Sequence, residues 1–430
     1  MPKIKPFSAL IYNKEKIKDL SRVVCPPYDI ISPQGQDYFH ALSPFNLIYL
    51  ILGRDIPGED KYVRARKYLN NWLKEEVLIH DDKPAIYFYS QQYTVRGEKK
   101  TRLGFMALLK LEDKSAVFPH EHTHTAAKED RMRLIKQVKA NLSPIFVLLA
   151  DEKRIIQRTF DNYIAKTTPF IETVDHDKIV NKLWRVDSAS AIQMIQKDMQ
   201  DKNIFIADGH HRYEVALKFR EDMRNKLGKL KGEEDCNYIL AYFTNMESKG
   251  LTILPVNRLV TGLSHGDTDK LKEAVKEYFD VEQIKDKTKF FFLMEKAGAR
   301  QHTIGMYLDK MHYLMRLKNT KIMDELVMDK PKEYRRLDVC IMNYIIISKI
   351  LGIDFNDKER IKFSADPEEF IKYADENRGC VAFLLNPVHV SQMIAVALTG
   401  ERMPPKTTYF YPKVLSGLVI NKHEDIKAED

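Results

Sequence analysis

Ile204-Phe-Ile-Ala-Asp-Gly-His-His-Arg-Tyr213 is the stretch on which the reading of this chain turns. An apolar run ends in Asp208, and a glycine, two histidines and an arginine follow at once. The run predicts a short buried strand, and Asp-Gly predicts a tight turn. Val215, Ala216, Phe219 and Met223 at helical spacing predict a helix over residues 210–226. The first backbone N–H groups of such a helix have no intrahelical acceptor, and its dipole adds positive potential. The junction therefore suits an anion, and Gly209, lacking a Cβ, lets a phosphate approach the backbone. Arg212 would clamp two phosphate oxygens. Asp208 would hold Mg²⁺ or orient a hydroxyl, and His210 or His211 would move a proton near neutral pH. The plainer alternative is a helix start that Asp208 caps, with the histidines filling polar space.

Outward from this junction, strand and helix patterns alternate. Residues 60–78 predict an amphipathic helix with Tyr62, Leu69 and Trp72 on one side. Residues 85–90 and 103–109 predict paired strands joined through Arg96-Gly97. A His-rich loop at 118–126, a helix at 128–140 and a strand at 145–149 follow. Asp187-Ser-Ala-Ser opens another helix, and residues 238–244 and 251–254 read as strands. Beyond these come a helix at 268–279, a hairpin around Asp309-Lys310 and a strand at 380–385. Further helices are expected at 335–351, 367–377 and 389–399. The expected fold class is α/β to α+β, with mixed sheets flanked by helices. A boundary is expected where Gly262, Gly266 and Asp267 cluster. It would separate an N-terminal and central α/β region, 1–264, from a C-terminal α+β region, 265–430.

Composition narrows the function classes. With 44% hydrophobic and 30% charged residues, the chain is an ordinary globular one, which excludes disorder. Lys+Arg at 69 against Asp+Glu at 61 gives +8, enough to favour small anionic ligands but spread over 430 residues. The charges alternate in sign and no recognition helix stands out, which argues against a nucleic-acid partner. No long apolar window predicts a membrane span, and Met1-Pro2-Lys3-Ile4-Lys5-Pro6 lacks a signal-peptide core. Cys25, Cys236, Cys340 and Cys380 are far apart, which argues against a zinc ribbon or a disulfide framework. A cytoplasmic enzyme is the expectation, with its oligomeric state open.

Other segments offer candidate chemistry. His120, His122 and His124 would face one side if extended, as a divalent-metal site; Glu121 or His122 would alternatively serve as an acid/base group. Arg131 is a second candidate phosphate ligand. Cys25-Pro-Pro-Tyr-Asp29 is stiffened by its prolines, and Tyr28 and Asp29 would line a pocket. Lys406, Thr407, Thr408 and Lys413 offer charges and hydroxyls to an anionic substrate.

Several strings, in order, resemble a widespread prokaryotic domain-of-unknown-function family. They are Val24-Cys-Pro-Pro-Tyr-Asp29, Ser43-Pro-Phe-Asn46, Phe118-Pro-His-Glu-His-Thr123, Lys128-Glu-Asp-Arg131 and Asn141-Leu-Ser-Pro-Ile-Phe146. Ala207–Tyr213 and Met403-Pro-Pro-Lys-Thr-Thr-Tyr-Phe-Tyr-Pro-Lys413 complete the set. The turn Asp208-Gly-His-His-Arg212 also resembles the phosphate-binding turn of the ParB/sulfiredoxin-like superfamily, whose free L-serine kinases carry the same string. That resemblance implies phosphate contacts from Gly209, His210, His211 and Arg212, with Asp208 beside substrate or metal. It also implies a nucleoside di- or triphosphate and Mg²⁺ as cofactors. Those kinases use an upstream glutamate as base; here that role is unassigned. The function implied is phosphoryl transfer on a small hydroxy amino acid, or the reverse reaction on phosphoserine. The alternatives are a nucleotide-dependent ParB-like binding module and a metal-dependent hydrolase built on His120, His122 and His124.

Overall fold

Two long strands, β2 (Ile86–Val95) and β3 (Glu98–Lys110), pair antiparallel across the Arg96-Gly97 turn, as the sequence pattern predicts. The computed structural model describes residues 2–112, 116–228 and 232–424. Packing divides them into two units, the first drawn from Met1–Pro119, Thr123–Thr252 and Pro412–Asp430. The second is drawn from His120–His122 and Ile253–Tyr411.

In the first unit the hairpin sits within a nine-stranded sheet. Its other strands are β1 (Ile4–Lys5), β4 (Val117–Pro119), β5 (Ile145–Leu149), β6 (Ile171–Val174), β7 (Val180–Val186), β8 (Ile204–Asp208) and β9 (Tyr238–Asn245). The order is β4-β8-β5-β9-β3-β2-β7-β6, with β1 against β3. β8 runs parallel to β4 and β9 parallel to β5, and the remaining pairs are antiparallel. The sheet is therefore mixed. Both faces of its central strands are buried, so β5 and β9 read as continuous apolar or aromatic runs.

One face packs a core of Phe88, Phe105, Val147, Ile206, Phe243 and Trp184. Phe88 lies opposite Phe105 and Phe105 opposite Phe243, and the last two rings stack at 5.0 Å. The helix Ala189–Met199 places Ile195 and Met199 in the same core. Helices α1 (Lys61–Lys74), α2 (Thr125–Val138) and α3 (His210–Leu227) also belong to this unit. α1 begins at Asp60, whose carboxylate accepts the N–H groups of Tyr62 and Val63. Its Leu69 and Trp72 join Phe39, Leu134 and Val138 in a second core, closed by Ile420 from the C-terminal tail.

The second unit has a six-stranded sheet of β10 (Asn257–Val260), β11 (Phe279–Ile284), β12 (Thr303–Leu308), β13 (Met311–Leu317), β14 (Ile361–Ser364) and β15 (Val381–Leu385). The order is β11-β13-β12-β15-β10-β14, and every pairing is antiparallel. The expected helix at 335–351 is short α-turns running into a π-helical stretch, Met342–Ile350. That stretch keeps Met342, Ile345, Ile346 and Ile347 buried. All four cysteines are buried and form no disulfide. Burial pushes the Cys25 thiol up, away from nucleophile chemistry. Among the described residues no helix is long and apolar enough to cross a membrane.

Gly104 is where the central sheet tolerates no side chain. A Cβ there would lie 2.2 Å from the Phe243 carbonyl oxygen and 2.6 Å from the Tyr242 ring. Gly104→Ala is expected to destabilise the fold by about 1–3 kcal/mol, read as a lower denaturant midpoint with an unchanged slope.

Candidate active site

The strand–turn–helix is present where the sequence places it. β8 ends at Asp208, Gly209 takes φ +88°, and α3 starts at His210. Only glycine adopts that backbone angle without strain. A Cβ at Gly209 would also meet the Arg212 guanidinium and Ile145 at 3.0 Å. The ladder between β8 and β5 shifts register between Ile206 and Asp208. Such an irregularity re-aims the side chains that follow it. No side chain caps α3. Asp208 therefore does not cap the helix.

Asp208 is instead held between two cations. One of its carboxylate oxygens accepts Arg212 Nη2 at 2.7 Å, and the other accepts Lys413 Nζ. Arg212 Nη1 also donates to the Pro144 carbonyl. Only 9% of the Lys413 side chain is exposed and 11% of the Asp208 and Arg212 side chains, so these ion pairs are largely screened from water. Burial alone would raise the Asp208 carboxyl pKa. The charges of Lys413 and Arg212, the Lys413 hydrogen bond and the charge of His210 outweigh burial and hold Asp208 well below its ordinary value. Both oxygens thus face cations, and among the described residues no three His, Cys, Asp or Glu side chains gather as metal ligands. Asp208 in this setting does not fit a Mg²⁺ ligand.

Lys413 comes from the far end of the chain, and Arg102 on β3 helps to bring it there. Arg102 Nη2 donates to the Pro412 carbonyl at 2.5 Å and to Gln91 Oε1, while Gln91 Nε2 donates to the Lys413 carbonyl at 2.9 Å. The Arg102 guanidinium is fully buried, 4.5 Å from the Phe146 ring centroid and 5.7 Å from that of Tyr242. Residues 140–143 receive the rest of the tail, through the pairing of Asn421–Lys422 with Ala140–Asn141 and a 2.6 Å hydrogen bond between the Ser143 and Ser416 hydroxyls.

Tyr28 and Arg131 face a cavity of about 60 Å³ that Arg212 also lines. The Arg131 guanidinium sits 3.9 Å from the Tyr28 ring centroid. Its Nε donates to Asp130 and its Nη1 to the Ile51 carbonyl, both at 2.8 Å. Burial pushes the Tyr28 hydroxyl up to about 12; Asp29 adds to the rise, and Arg131 and Arg212 oppose it. Asp29 itself is exposed. His210 is buried, and His211 Nε2 accepts the His124 backbone N–H at 2.9 Å.

One carboxylate here escaped the sequence reading. Glu214, one turn into α3, accepts the Thr123 hydroxyl at 2.7 Å and Lys128 Nζ at 3.2 Å. Its position one turn after His210, on the helix face of the motif, was the available signal.

Of the remaining candidates, all but His124 lie in the second unit. His120 is buried and its Nε2 hydrogen-bonds the Thr408 hydroxyl at 3.1 Å. Glu121 bridges to Met403 and its carboxylate accepts the Lys406 N–H, while His122 is exposed. The Thr407 hydroxyl donates to the Pro404 carbonyl at 2.6 Å. These hydroxyls are engaged within the chain. His124 marks the start of α2. Among the described residues no three His, Cys, Asp or Glu side chains gather as metal ligands.

Among solved structures the chain is similar to a free serine kinase variant in complex with ADP, at 13% identity and TM-score 0.35, covering 69% of this chain and 84% of that one. It is similar to SbnI with a C-terminal truncation from Staphylococcus aureus, at 12% identity and TM-score 0.38, covering 73% and 86%. It is also similar to a conserved hypothetical protein from Pyrococcus furiosus, at 14% identity and TM-score 0.35, covering 73% and 94%. At these scores the likeness bears on neither reaction nor ligand. No curated protein matches the chain.

The Asp208 cluster makes an acid-stability prediction. Its folded pKa lies below the unfolded value of 3.8, so its contribution is fully present above that pH and is lost as pH falls below it. Asp208→Asn should cost about 3–5 kcal/mol at pH 7, because it strands two buried cations. Its stability should then depend less on pH than that of wild type below about pH 4, as read by urea unfolding across pH.

The family model for proteins of unknown function DUF1015 matches residues 4–340, the span that holds β8, its turn and α3, and the chain belongs to that family.

Proposed function

We propose that the Asp208–Arg212 turn is a phosphate site and that the protein transfers a phosphoryl group to or from a small hydroxy amino acid. The observation that carries this reading is the uncapped N-terminus of α3, opened by a positive-φ glycine and flanked by Arg212 and Lys413. Helix N–H groups and two buried cations converge on one end of β8. A phosphate oxygen entering there would exchange with Asp208 for Arg212 and Lys413 as partners.

The cavity beside Tyr28, Arg131 and Arg212, at about 60 Å³, matches the head of a small substrate. Sites for drug-sized ligands start at about 300 Å³. A nucleoside di- or triphosphate would therefore present only its terminal phosphate to this turn. In the proposed reaction Arg212 and Lys413 offset charge on the transferred group. His210 takes the proton of the acceptor hydroxyl, or returns it in the reverse direction, since the acceptor nitrogen of His211 is engaged by the His124 N–H. Glu214, tied to Lys128, is the nearest carboxylate on α3 to share that role.

The test is phosphoserine formation from ATP and L-serine, and its reversal, followed by ³¹P NMR beside a thermal-shift series with ADP, phosphoserine and phosphate. Turnover and a phosphate-dependent shift in wild type are expected. Lys413→Met should lower turnover about a hundredfold or more. Absence of a shift with every phosphate ligand would overturn the reading.

A further inference from the structure

Among the described residues, no carboxylate lines the cavity beside the Asp208 turn. Arg131 of α2 and Arg212 of α3 bring guanidinium groups to it, and Tyr28, Asn141 and Ser143 are its other polar side chains. The rest of the lining is aliphatic. The first turns of α3 and the last turns of α2 both reach it, so opposite dipole ends meet there and the side chains set the sign of the charge.

Hydrogen-bond donors remain at this wall after the internal bonds are counted. Only 9% of the Arg131 side chain is exposed. Of the five N–H groups of its guanidinium, Asp130 accepts the one on Nε and one on Nη2, and the Ile51 carbonyl accepts one on Nη1. One N–H on each terminal nitrogen is left, in a fork whose direction Asp130, Ile51 and the Tyr28 ring hold fixed. The Tyr28 hydroxyl makes no hydrogen bond among the described residues. Burial pushes it up to about 12, so it keeps its proton at neutral pH and can donate. Asn141 Oδ1 accepts the Leu240 N–H at 3.1 Å and Asn421 Nδ2 at 3.0 Å, while its own Nδ2 makes no hydrogen bond among the described residues.

Size narrows the anion. At about 60 Å³ the cavity holds only a few water-sized groups, each needing roughly 10–15 Å³. A carboxylate with its α-carbon fills that room, and a nucleobase exceeds it. A planar carboxylate also matches the guanidinium fork.

We infer that the cavity is the carboxylate subsite of the substrate, with Arg131 and the Tyr28 hydroxyl gripping the carboxylate while the Asp208 turn holds the phosphate. The inference rests on the phosphate reading of that turn and adds the substrate class: a small hydroxy acid whose carboxylate is required for binding. Arg212 joins the two ends, because it lines the cavity and pairs with Asp208. Asp130 is a positioning residue that acts through Arg131.

The test is calorimetry on the full chain with two ligand pairs that differ by the carboxylate: phosphoserine against phosphoethanolamine, and L-serine against ethanolamine. Phosphoserine should bind about tenfold more tightly than phosphoethanolamine, or better, as one charge-assisted contact supplies. Arg131→Gln should erase that preference. Arg131 also holds Asp130 and the Ile51 carbonyl, so Tyr28→Phe is measured beside it. That variant removes a hydroxyl with no internal partner: the melting temperature should not change, and the preference should fall severalfold. Equal affinity for the two phosphate esters, or a preference that Tyr28→Phe leaves intact, would overturn the subsite while leaving the phosphate turn standing. If neither ester binds, the phosphate turn fails and the second pair decides for the cavity alone. A preference for L-serine then supports the subsite, and its absence rejects it.

Discussion

A fully buried guanidinium, Arg102, is the constraint on which the candidate site depends. A cation taken out of water costs several kcal/mol unless its donors are satisfied and its charge is met. Arg102 meets part of this demand through the Gln91 side chain, the Pro412 carbonyl and the π faces of Phe146 and Tyr242. The Pro412 carbonyl is the consequential partner, because the next residue is Lys413. These contacts hold the tail beside the central sheet and bring the Lys413 ammonium to Asp208. The pieces are separated by hundreds of residues in sequence, yet the hydrogen-bond demand of one side chain orders them.

That dependence explains which parts of the site were legible beforehand. The strand, the glycine turn and α3 are local, and their signals lie within twenty residues: an apolar run, Asp-Gly and helical spacing. The β2–β3 hairpin was legible for the same reason. Asp208, Arg212 and Lys413 are all legible as polar candidates, but the pairing of Lys413 with Asp208 is not. Lys413 was read with Lys406, Thr407 and Thr408 because they are neighbours in sequence. In the structure Lys413 belongs to the first unit, whereas the other three belong to the second. Nothing in local pattern distinguishes them, since the path of the tail is set by Arg102, Gln91 and the bridges of Ser416 and Ile420. Glu214 was passed over because a glutamate on a charged helix reads as a solvated face until Thr123 and Lys128 are brought against it.

The histidine segment is the opposite case. Alternation at 120, 122 and 124 implies a common face only if the backbone stays extended and the side chains are uncommitted. Here the helix begins at Thr125, and His120 is committed to Thr408. A spacing argument holds for a strand, and this segment is too short to remain one. Polar periodicity without an apolar partner face does not fix a strand, because burial of the apolar face is what sets register.

Asp208 carries two meanings that need not conflict. As a structural group it holds Lys413 and Arg212 in place. As part of a phosphate site it would be the anion that holds both cations until substrate arrives. A buried cluster with no anion would be costly, so a resident carboxylate is what allows two cations to wait at one helix end. The same carboxylate lowers affinity, since an incoming phosphate must displace it and the two negative charges repel within a poorly solvated site. Removing the charge would therefore act in opposite senses: the empty site becomes less stable, while any phosphate that still binds is held more tightly. A purely structural ion cluster would lose stability with no gain in phosphate affinity, and that difference in sign separates the two meanings of Asp208.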